Sequence, residues 1–96
     1  MSAIKTIKFI DPIGQRVTYV YDLEALLEVV YTAEHGEVRR VDYNTAYPSK
    51  SGEDAVSWFT FNMFRLELGL MRHGREFSVD YSTTEGYNQR QLKLFR

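Results

Sequence analysis

Cysteine is absent from the 96 residues, which excludes disulfides, thiolate zinc sites and cysteine nucleophiles together. Histidine is scarce, with only His35 and His73, and each is followed by glycine, where a chain turns or a helix ends. Two histidines at separate element ends do not assemble a metal site, which needs several converging ligands. Basic residues are not clustered: Arg39-Arg40 is the only adjacent pair and the formal net charge is −1. The field expected of a phosphate-binding surface is therefore missing, and nucleic-acid binding is disfavoured. The opening "MSAIKTIKFID" lacks the apolar run of an export signal, and no stretch approaches the ~20 apolar residues of a membrane span. The expected home is the cytoplasm, with no membrane partner.

No G-x-S-x-G elbow, G-x-x-x-x-G-K-[ST] loop or G-x-G-x-x-G fingerprint occurs, so enzymatic chemistry has no sequence support. No catalytic, cofactor-binding or metal-ligating residue is expected, and no cofactor. What the chain does have is apolar and aromatic content: 44% hydrophobic residues, seven Tyr, six Phe and one Trp. That composition belongs to a folded chain. Its length suits one domain, residues 1–96, burying roughly 65% of its unfolded surface.

"IKTIKFI" and "QRVTYVY" read as two strands joined through Asp11-Pro12 and Gly14, which supply turn dihedrals. Asp22 reads as an N-cap, and Leu23, Leu26, Leu27, Val30 and Tyr31 recur at helical spacing, with Gly36 as the residue after the helix. The spacing predicts one amphipathic helix over about 23–35. "EVRRVDYN" reads as a short strand and "TAYPSKSGEDA" as a loop. Ser51 to Asp54 resembles a capping box that would start a helix. The aromatic and β-branched density of "VSWFTFNMF", with Gly69 further on, favours a strand instead.

With His73-Gly74 as a two-residue hairpin loop, Leu66, Leu68 and Leu70 face Tyr81, Val79 and Phe77. The phase change between Phe59, Phe61, Met63 and Leu66, Leu68, Leu70 then requires a bulge or break near residues 62–65. Glu67 and Asp80 would oppose each other on the polar side, offset by arginines. "RQLKLF" adds a final strand. The resulting class is α+β: an antiparallel sheet of about five or six strands, one helix on one face, order ββαββββ.

One helix covers ~10 to 12 Å of such a sheet, so apolar surface is left over for another molecule. This small helix-on-sheet plan is similar in size and layout to bacterial immunity proteins and phage anti-defence inhibitors. The resemblance implies a non-enzymatic stoichiometric inhibitor whose partner is a toxin or a host or defence factor. Alternatives are a self-associating accessory subunit, such as a homodimer, and a nucleic-acid-binding sheet. The partner surface is expected at Tyr47, Lys50, Arg72, Arg75 and Tyr87, with the two arginines flanking a hairpin tip.

Overall fold

The computed structural model describes residues 3–48, 53–73 and 75–83. Four strands follow one another as a meander: β1 (Ala3–Ile10), β2 (Arg16–Asp22), β3 (Leu27–Thr32) and β4 (Gly36–Asp42). A single helical turn, α1 (Tyr43–Ala46), leads towards the long helix α2 (Glu53–His73). The chain then returns as β5 (Arg75–Thr83), antiparallel to β1, giving the sheet order β4-β3-β2-β1-β5. The α+β class, the antiparallel five-stranded sheet and the single main helix packed on one face are as the sequence implies. The proposed sixth strand over "RQLKLF" lies outside the described residues.

The order is not ββαββββ, because the helix sits elsewhere. Residues 27–32 of the expected 23–35 helix form β3, an interior strand paired on both edges. Its side chains are buried on both faces: Glu28 and Val30 on one, Val29 and Tyr31 on the other. A strand covered on both sides reads as a near-continuous apolar run, and such a run meets the helical template by coincidence. Asp22 does use its carboxylate as a cap would, accepting from the amides of Glu24 and Ala25 at 3.1 and 2.9 Å. It closes a turn rather than a helix, with Leu26 at φ +55° finishing the reversal.

The 66–81 hairpin is also overturned. Residues 53–73 form one helix of 21 residues, and only the second half of the expected hairpin, within β5, is a strand. The core-facing line of α2 is Ala55, Phe59 and Met63, continued by partly buried Leu66 and Leu70. That is helical spacing. A second apolar line on the outer face, including Phe61, Phe64, Leu68 and Met71, overlies it in sequence and makes the segment look like a dense strand. The supposed break near 62–65 is mid-helix. Gly69 is exposed with open space around it, where glycine costs a long, well-packed helix only about 1 kcal/mol.

Between α2 and the sheet lies the larger core, built on Ile7, Tyr21, Tyr43, Ala55, Phe59 and Met63. Phe59 meets Tyr21 and Tyr43 edge-on, with ring centroids 5.6 and 5.4 Å apart, an arrangement that suits the ring quadrupoles. The opposite sheet face carries a second cluster of Ile4, Val20, Val29 and Tyr31. Lys5 joins β1 to α2: its buried ammonium meets Glu67 Oε2 at 2.7 Å and lies over the rings of Phe64 and Tyr81. Asp80 pairs in register with Thr6, whose side chain alternates to the face opposite Lys5. Glu67 and Asp80 therefore sit on opposite faces of the sheet and form no carboxylate pair.

Edge strand β4 is charged and irregular. Its register with β3 shifts between Val30 and Tyr31, leaving Val38 as an extra, exposed residue. A bulge with flanking Arg39 and Arg40 blunts the edge against further strand pairing.

Candidate partner-binding site

β2, β3, β4 and α2 converge on a cluster of polar groups beneath the flank of the helix. Glu28 belongs to β3 and points towards the helix side, so its carboxylate is buried, with only 2% side-chain exposure. A carboxylate taken from water needs partners. Arg39 on β4, opposite Val30 and so diagonal to Glu28 on the same face, donates to Glu28 Oε1. The Tyr43 hydroxyl donates to Oε2 at 3.5 Å and in turn accepts from Asn62 Nδ2 of α2 at 3.0 Å. This chain ties the edge of the sheet to α1 and to the middle of the helix.

Above it opens a pocket of about 340 Å³ whose wall includes Tyr19, Glu28, Arg39, Tyr47, Asn62 and Arg65. Alternation along β2 places Tyr19 and Tyr21 on the same face, stacked 6.2 Å apart. Burial holds the Tyr19 hydroxyl above the ordinary tyrosine range, against the pull of Arg39, while the Glu28 charge reinforces the rise. Tyr43 is raised chiefly by burial as well, with the Asn62 hydrogen bond working the other way. Burial also raises Tyr21, helped by the Glu28 carboxylate nearby. Among the described residues its hydroxyl has no hydrogen-bond partner in good geometry. These tyrosines are neutral hydroxyl groups at physiological pH, suited to hydrogen bonding rather than to nucleophilic attack. Burial opposes the charge on Arg39, but the hydrogen bond and charge of Glu28 overcome it and raise its pKa.

An aromatic chain continues from this pocket onto the helix surface. Tyr43 stacks on Tyr47 at 5.4 Å, Tyr47 on Trp58 at 5.5 Å, and Trp58 meets Phe61 edge-on at 6.0 Å. Arg65 lies over the Phe61 ring at 5.7 Å while also lining the pocket. Trp58 remains about half exposed. The result is a concavity bordered by Tyr, Trp and Arg, the residue types that carry most binding energy at protein interfaces. Two guanidinium groups against one buried carboxylate leave its mouth net positive.

A larger cavity, about 400 Å³, lies at the other end of the sheet among Lys8, Phe9, Arg16, Tyr31 and Glu76. Among the described residues no three His, Asp or Glu side chains are grouped to hold a metal ion, and no helix is long and apolar enough to cross a membrane.

Of the residues singled out by sequence, Tyr47 lies in the site, at the C-terminal cap of α1. Arg72 is exposed in the last turn of α2, and Arg75 is the first residue of β5. They flank a helix end rather than a hairpin tip, because that hairpin does not form. Lys50 and Tyr87 lie outside the described residues. His35 and His73 are both exposed at element ends. Sequence pattern alone does not single out Tyr19, Glu28, Arg39, Trp58 or Arg65 as a site. A lone glutamate inside the apolar run "LEVVYT" was the available signal, since a carboxylate within an interior strand must find a cation.

The chain matches no protein-family model, no curated protein and no solved structure.

Proposed function

We propose that this protein acts by binding another protein, in the manner of a stoichiometric inhibitor and without chemistry of its own. The contact surface is the pocket bordered by Tyr19, Arg39, Tyr47 and Arg65, extended by Trp58. One observation carries this reading: an open, net-positive concavity of about 340 Å³ continuous with a stacked Tyr47–Trp58 pair on a rigid helix. A pocket of that size takes a single long side chain, and its two guanidinium groups and neutral tyrosine hydroxyl favour a carboxylate. The partner accordingly presents a Glu or Asp flanked by apolar residues that pack on Trp58.

The test is capture of the partner by the immobilised protein, repeated with Trp58→Ala and Arg65→Glu. Both positions are surface ones, so the fold is retained. Each substitution is expected to lower affinity at least tenfold, since interface Trp and Arg residues cost about 2 kcal/mol or more when lost. Ile13→Ser, in the exposed β1–β2 turn, leaves capture unchanged. A stoichiometric partner bound equally well by all of them would place the contact surface elsewhere.

A further inference from the structure

α2 carries a second feature on its outer side, which adjoins the proposed partner surface at Trp58 and Arg65. Ser57, Phe61, Phe64, Leu68 and Met71 follow one another in steps of four and three residues, and the four apolar members are 49 to 68% exposed. Steps of four and three keep these side chains along one line of the helix, the geometry that a second helix lying alongside engages. Each copy presents four large side chains about half exposed, on the order of 400 to 500 Å² of apolar area at ~150 to 250 Å² per large side chain. With flanking residues this approaches the ~800 Å² per partner of a standard interface.

The flanks of the seam identify the second helix. One side holds Trp58, Arg65 and Arg72, and the other Thr60 and Glu67. Among the described residues neither Arg65 nor Arg72 has a carboxylate within ion-pair distance. Two copies side by side in the same direction set Glu67 of one against Arg72 of the other, five positions on, which is the pairing that orients parallel coiled coils. Lys5 holds Glu67 through Oε2, so Oε1 is the oxygen that meets the guanidinium. Antiparallel packing would instead bring basic flank against basic flank.

We propose that the occupant of this seam is a second copy of the chain, giving a two-fold dimer with parallel α2 helices inside and the two sheets outside. The seam borders the partner-binding surface at Trp58 and Arg65, so the dimer is tested at Ser57, Phe64 and Met71, which lie outside the pocket. The natural absence of cysteine makes the test direct. Ser57→Cys and Met71→Cys are each introduced alone and oxidised mildly, and an equimolar mixture of the two is oxidised in parallel. Parallel helices give disulfide-linked dimers of each variant by itself. Disulfides formed only between the two different variants would overturn the parallel arrangement. Light scattering across a concentration series is expected to show a monomer–dimer equilibrium that Phe64→Glu abolishes while the circular dichroism spectrum stays the same. A monomer at every concentration would overturn the dimer, and a dimer indifferent to Phe64→Glu would overturn the seam. Loss of the dimer with partner capture intact leaves the proposed function standing.

Discussion

Phe59 and Phe61 lie two positions apart, and their unequal fates follow from the helical geometry of α2. In a strand, residues i and i+2 share a face and would be buried alike; in a helix they point some 200° apart. Phe59 is 2% exposed and packed edge-on against Tyr21 and Tyr43, whereas Phe61 is 54% exposed. Phe59→Ala removes a buried ring and leaves a cavity, at a cost of about 3 to 5 kcal/mol. That is a large share of the ~5 to 15 kcal/mol that stabilises a domain of this size. Phe61→Ala loses an edge contact with Trp58 and the Arg65 guanidinium over its face, exposed interactions worth about 1 kcal/mol together. Urea unfolding followed by circular dichroism, at protein concentrations low enough to suppress association, should move the Phe59→Ala midpoint down by roughly 2 M or more and the Phe61→Ala midpoint by well under 1 M. Equal losses at the two positions would refute the helix and its two-faced burial.

The Lys5–Glu67 bridge should show the asymmetry of a buried pair: Glu67→Ala strands an ammonium with 3% exposure and costs about 3 kcal/mol, while Lys5→Met with Glu67→Leu is close to neutral in the same unfolding assay. Tyr19, Tyr21 and Tyr43 have folded pKa values raised by burial. Their contribution to stability is therefore complete below the ordinary tyrosine value of about 10 and is lost as pH rises beyond it. Phenolate absorbance from these three should appear together with loss of near-ultraviolet dichroism; titration near 10 with the fold intact would contradict their burial. Gly36 opens β4 at φ +69° with empty space where a side chain would sit, so Gly36→Ala should cost about 1 kcal/mol through backbone conformation alone, measured as a lowered thermal midpoint.

The β1–β2 hairpin and β4 were legible because their turn residues and alternation act locally. Asp11 accepts from the amides of Ile13 and Gln15, a contact that residues four apart settle among themselves. β3 and α2 were exchanged because each departs from one-sided amphipathicity. β3 is buried on both faces, and α2 is apolar on both its inner and outer lines. Period alone cannot separate those cases; the decision lies in strand pairings such as Ile7 with Val79, across 72 positions of sequence, and in the docking of α2 on the sheet. The candidate site draws on β2, β3, β4, α1 and α2 and is assembled at that level. Tyr47 is visible as an aromatic loop residue, whereas Arg39 and Arg65 come to line one pocket only once α2 is docked on the sheet face to which Arg39 points.

Trp58 is the chain's single tryptophan and stands, half exposed, at the border of the proposed site, so its fluorescence reports directly on occupancy. Titrating the captured partner into the protein should shift Trp58 emission to shorter wavelength, saturate at one partner per chain, and require at least tenfold more partner in Arg65→Glu. Binding that left Trp58 emission unchanged and was indifferent to Arg65→Glu would contradict the proposal that this pocket and its aromatic border are where the protein works.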